Sequence, residues 1–118
     1  NYADYIQLVN EEMNRQLIGI GLYTEEEARR QDPSEPLYRK YFYHGIGHHL
    51  GLDVHDLGAR NEPVKAGMLF TIEPGIYIEE EGIGIRIENN YWLTEDGSID
   101  LFKGIPITVE EIEAAMAG

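Results

Sequence analysis

The sequence predicts an α+β fold in which helices come first, antiparallel strands follow and a last helix closes the chain. Three observations carry that prediction. Apolar residues near the start recur at spacings of three and four. From Met68 onward they alternate at a spacing of two. Short turn signals, Pro74-Gly75, Glu79 to Gly82 and Glu95-Asp96-Gly97, separate the strand-like runs.

Each element follows from its own pattern. Tyr2, Ile6, Val9, Met13, Leu17 and Ile20 form one apolar helical stripe, and Gly19 and Gly21 mark its end. Thr24 with Glu27 has capping-box spacing and opens a second, shorter helix. Gln31 to Pro36 reads as a loop by its Asp, Pro and Ser content, and Leu37 to Tyr43 as a short helical turn. Met68 to Glu73 alternates as a strand, Pro74-Gly75 breaks it, and Ile76 to Ile78 resumes it. Ile83, Ile85 and Ile87 then point one way while Gly84, Arg86 and Glu88 point the other. Tyr91 to Thr94 and Ser98 to Leu101 flank a hairpin turn. Thr108 with Glu111 is a second capping box, before a helix carrying Val109, Ile112 and Met116.

Composition excludes several functions. With 118 residues there is room for one modest domain. Nine Lys and Arg against 22 Asp and Glu give a net charge of −13, which argues against binding nucleic acid or an anionic membrane. The absence of Cys excludes a disulfide scaffold and thiolate chemistry and fits a reducing compartment, so a cytoplasmic location is expected. No apolar run approaches the roughly 20 residues of a membrane span, and no signal peptide is visible. The chain opens on Asn1 and not Met, which reads as a fragment or a processed product.

One local feature stands out. All four His lie between His44 and His55, in His44-Gly45-Ile46-Gly47-His48-His49-Leu50-Gly51-Leu52-Asp53-Val54-His55-Asp56. His44 and His48 share a face on either a helix or a strand, and His49 shares it in neither. The two glycines disfavour a helix and permit close backbone approach. Glu73, among apolar neighbours at a strand end, must be paired, protonated or metal-bound. Glu88 shares a strand face with Arg86. His48, Glu73 and Glu88 together offer nitrogen and oxygen donors suited to zinc, manganese or cobalt. The plain alternatives are satisfied surface histidines, a solvated strand-end Glu73 and a Glu88–Arg86 ion pair.

Four ordered runs make the reading specific: His44-Gly-Ile-Gly-His48, Gly51-Leu-Asp-Val-His55-Asp56, Phe70-Thr-Ile-Glu73-Pro74-Gly75-Ile-Tyr77 and Gly82-Ile-Gly-Ile-Arg86-Ile-Glu88. Together they resemble the C-terminal half of an aminopeptidase P, or Xaa-Pro aminopeptidase, catalytic domain. The resemblance implies a pita-bread fold, here its C-terminal portion over residues 1–118, with an antiparallel sheet flanked by helices. It implies two divalent metal ions, manganese first and cobalt or zinc also compatible, in the complete domain. By position, His48, Glu73 and Glu88 would be metal ligands, with Glu88 bridging both ions. His44, His55 and Tyr77 would line the substrate site, His44 as a positioning donor, and Arg86 would stand beside the bridging Glu. His44, His55, Glu73 and Arg86 are the expected catalytic set, with Glu73 as proton shuttle.

The resemblance also marks a departure. The family's two Asp ligands lie upstream of the His motif, where this chain offers only Asp4 in a helix and Asp32 in a loop. Neither is carried over, so the chain alone is expected to be inactive and to need the upstream half of its domain. The expected substrate is a peptide with proline at the second position, and the full-length protein is expected to be a homo-oligomer. Rival readings are a prolidase, a non-catalytic pita-bread binding module, and a small metal- or histidine-clustered protein complete at this length.

Overall fold

α1 spans Tyr2–Gly19, and the computed structural model describes residues 2–58 and 62–118. The stripe lands as its spacing requires. Met13 is buried with Phe42 and Ile46, with Ile6 and Val9 packed against them, and Leu17 is fully buried with Tyr23 and Tyr41. Ile20 departs from the expectation, because the helix ends at Gly19. The Gly21 N–H closes on the Ile18 carbonyl at 2.9 Å and Gly21 takes φ 82°, so the chain turns before Ile20 can face inward. Ile18 packs there instead.

α2, Glu25–Arg30, carries the complete capping box. The Thr24 hydroxyl accepts the Glu27 N–H at 3.2 Å, and the Glu27 carboxylate accepts the Thr24 N–H at 2.8 Å. Those bonds from Thr24, backbone first and hydroxyl second, hold the Glu27 carboxyl below its usual range. A depressed acid contributes stability above its unfolded pKa and loses it as pH falls through the folded value. Thr24→Ala should therefore cost about 1 kcal/mol near neutral pH. The cost should shrink on acidification, when Glu27 protonates in the wild type as well. Urea denaturation at two pH values checks this, and a penalty that grows toward acid would contradict it.

α3 is a single turn, Tyr38–Tyr41, shorter than the sequence predicts. Among the described residues five strands follow: β1 Leu69–Ile72, β2 Gly75–Ile78, β3 Ile83–Arg86, β4 Asn89–Thr94 and β5 Gly97–Asp100. They form two antiparallel sheets, one ordered β1-β4-β5 and the other a β2-β3 hairpin. Gly75 is part of β2 and pairs with Arg86, so the break falls at Glu73 and Pro74, one residue earlier than the sequence predicts. Glu79–Glu81 makes a turn of 3₁₀ helix that ends on Gly82 at φ 64°. The capping box at Thr108 opens α4, Val109–Met116.

Burial is uneven. The buried hydrophobics, Met13, Leu17, Tyr23, Tyr41, Phe42 and Ile46, all precede the strands. Ile85 is 61% exposed and Trp92 44%. The radius of gyration is 16.6 Å, against about 13.5 Å for a compact domain of this length. The alternation that predicted β3 is present, yet Ile83, Ile85 and Ile87 stay 52%, 61% and 43% exposed. Among the described residues no helix is long and apolar enough to cross a membrane.

Candidate metal centre

After α3 the chain leaves the helix and runs antiparallel to β1. The Glu73 N–H donates to the Ile46 carbonyl at 2.7 Å, the Thr71 N–H to His48 at 2.9 Å, and the Leu50 N–H to Leu69 at 3.1 Å. The two glycines of the motif differ in role. A Cβ on Gly47 would lie 1.9 Å from the Thr71 carbonyl oxygen, whereas a Cβ on Gly45 would meet nothing nearer than 3.9 Å. Only Gly47 lets the two backbones close. An extended chain puts neighbouring side chains on opposite sides. His49 therefore turns away and lies against the Phe70 ring, centroids 4.2 Å apart, while His48 turns toward Glu73.

The segment after Leu50 returns on itself. The Asp56 N–H donates to the His49 carbonyl at 3.0 Å, and this return lays the His55 ring on His48, centroids 4.0 Å apart and 22° from parallel. From the hairpin side, Tyr77 brings its hydroxyl to 2.9 Å from His44 Nε2. Its ring occupies the space above Gly84, where a Cβ would stand 2.9 Å from Tyr77 Cδ1. Arg86 reaches Glu73, Nε to Oε2 3.8 Å.

All seven residues singled out by the sequence, His44, His48, His55, Glu73, Tyr77, Arg86 and Glu88, line one open cavity of about 680 Å³. Ligand atoms of His48, Glu73 and Glu88 lie within 4.8 Å of one another. His48 and Glu73 are largely buried and Glu88 is exposed. Arg86 turns to Glu73, so the Glu88–Arg86 pair, the plain alternative to ligation by Glu88, is not the contact that forms. Asp4 and Asp32 stay outside the cavity, and Asp32 caps its own turn through Ser34, N–H to Oδ1 2.8 Å.

The donor set fits a divalent cation. His48 Nδ1 is 2.8 Å from the His49 carbonyl oxygen, which can only accept, so Nδ1 donates and in the neutral ring Nε2 carries the lone pair. Ligating histidines are typically held in this way. Nε2 stands 3.6 Å from Glu73 Oε1, too long for a hydrogen bond. Two ligand bonds of about 2.1 Å span up to about 4.2 Å, so one ion can reach both atoms. With neutral imidazoles, the cavity sets two carboxylates against one guanidinium, which favours a cation.

His44 is fully engaged. Nδ1 meets the Gly45 carbonyl at 2.8 Å and Nε2 meets Tyr77, so neither nitrogen is free in either protonation state. The neutral ring accepts the Tyr77 proton and leaves the Tyr77 oxygen to face a ligand as an acceptor. Two residues were not singled out from sequence. Tyr43 lies against Tyr77, centroids 4.8 Å apart and rings tilted by 31°, and Thr71 is 2% exposed between His48 and Glu73. Thr71 shares a strand face with Glu73, two residues on, but its bond from the His48 N–H leaves no mark in the sequence. Tyr43 left no signal beyond its neighbour His44.

One His and two Glu gathered in one cavity, on a fold of helices and antiparallel strands, make a candidate metal centre. The chain belongs to metallopeptidase family M24, whose family model matches residues 5–95. It is 43% identical over 91 residues to an Xaa-Pro aminopeptidase of Haemophilus influenzae, covering 67% of this chain and 21% of that protein. It is 34% identical to Xaa-Pro aminopeptidase 2 of Streptomyces coelicolor, covering 98% of this chain and 27% of the relative. Zinc-substituted Escherichia coli aminopeptidase P in complex with product superposes with a TM-score of 0.75 at 33% identity, over 95% of this chain and 28% of that one. The architecture is thus part of the pita-bread fold, and the chain spans about a quarter of the length of these relatives.

Proposed function

We propose that the complete protein is a metal-dependent aminopeptidase that hydrolyses the bond between an N-terminal residue and a following proline. The observation that carries this reading is the His48, Glu73 and Glu88 donor set, gathered in one cavity with the His48 Nε2 lone pair turned inward. Similarity to Xaa-Pro aminopeptidases narrows the substrate. Bound divalent ions, manganese by preference, supply an activated water and positive charge for a developing oxyanion.

The side chains of this chain do the rest. His48, Glu73 and Glu88 hold the ions. His55, exposed beside His48, offers a ring N–H to the oxyanion. Glu73 takes the proton of the attacking water and passes it to the proline nitrogen, which has no proton of its own and leaves only once protonated. The Arg86 guanidinium keeps Glu73 oriented between these tasks. Tyr77, fixed by His44, positions the substrate through its oxygen. The remaining ligands belong to chain outside these residues, so the piece alone is inactive.

The full-length protein loaded with manganese should cleave Xaa-Pro-Yaa tripeptides at the bond before proline. Hydrolysis of Xaa-Pro dipeptides alone would move the assignment to a prolidase, and no hydrolysis of either would overturn it.

A further inference from the structure

We propose that Thr71 is the positioning residue of the metal centre, its hydroxyl holding the His48 strand and the Glu73 carboxylate in register. This rests on the metal reading of His48 and Glu73 above. Thr71 is the buried polar side chain of the sheet, 2% exposed. Its Oγ1 is 3.0 Å from the His48 backbone nitrogen and 3.2 Å from Glu73 Oε1. The direction of both bonds is forced. A backbone N–H can only donate, so Oγ1 accepts from His48 and the hydroxyl proton is left for Glu73.

Three consequences follow for the centre. One lone pair of Oε1 is fixed by Thr71, which orients the carboxylate so that its other lone pairs face His48 and Arg86. The His48 N–H, next to a carbonyl already committed to the Thr71 N–H, ties the ligand residue to β1 at both backbone atoms. And the two donors, 25 positions apart in the chain, are set 3.6 Å apart through one shared oxygen. Partners that orient a metal ligand are typically worth 10–100-fold in metal affinity.

The test uses the full-length protein with Thr71→Val, which keeps the shape and removes the hydroxyl, and Thr71→Ser, which keeps the hydroxyl and removes the methyl. Manganese affinity is measured by calorimetry and by electron paramagnetic resonance of the free ion. The melting temperature of the metal-free protein is recorded for each variant. Thr71→Val should bind manganese roughly 10–100-fold more weakly, and Thr71→Ser should stay within about threefold of wild type, since the hydrogen bonds survive. Equal loss in both variants would assign the effect to methyl packing and overturn the proposal, as would wild-type affinity in Thr71→Val. If the wild type itself takes up no manganese, the metal reading fails and this inference with it. If the wild type takes up manganese and Thr71→Val binds it equally well, the metal reading stands and this inference alone fails.

Discussion

Glu88→Gln in the full-length protein should lower manganese affinity by at least about 100-fold and reduce peptidase activity by as much or more. Removing a partner that only orients a ligand already costs 10–100-fold, and a ligand itself should exceed that range. The substitution keeps the size of the side chain, removes its charge and replaces one anionic oxygen with an amide nitrogen that cannot bind a cation. Little else should change. Glu88 is exposed, and substitutions at exposed sites usually stay within about 0.5 kcal/mol. Without metal, Glu73 and Glu88 are like charges converging on one cavity, so the variant should melt no lower than the wild type and slightly higher if that repulsion is felt. Loss of metal with preserved apo stability is the expected signature. A variant with wild-type manganese content and turnover would remove Glu88 from the ligand set.

The helices and the hairpins were legible because each rests on local chemistry. Two capping boxes formed where Thr24 and Thr108 stand three residues before a Glu. The seven site residues were read from ordered motifs, and the fold returned all of them to one cavity. What was not legible depends on neighbours distant in sequence. Periodicity put Ile20 on the stripe, but Gly19 and Gly21 turned the chain first. Alternation gave β3 an apolar side without saying what lies on it, and Ile83, Ile85 and Ile87 remain open. The partners of His44, the Gly45 carbonyl and Tyr77, emerge only when the hairpin folds back. Thr71 looked like one polar residue in an alternating strand. Its value comes from His48 lying across from it, a pairing that no local pattern specifies.

The same pairing separates the two glycines of His44-Gly45-Ile46-Gly47-His48, which the sequence alone treats alike. Gly47→Ala should destabilise the full-length protein by about 3 kcal/mol or more, and Gly45→Ala should be near neutral. At Gly47 the added carbon would sit 1.9 Å from the Thr71 carbonyl oxygen and 2.8 Å from its carbon. Both are backbone atoms, so no rotamer change relieves the overlap, and the His strand must move off β1. That movement stretches the bonds from Glu73 to Ile46, from Thr71 to His48 and from His48 to the Thr71 hydroxyl. Each is worth about 1 kcal/mol net. It also carries His48 away from Glu73, so manganese binding should fall together with stability. At Gly45 the nearest atom to an added carbon is 3.9 Å away, an ordinary contact. Denaturation midpoints and manganese titrations of the two variants, measured side by side, decide the matter. Equal stability in both would mean that the close approach of the His strand to β1 is not what holds the ligands in place.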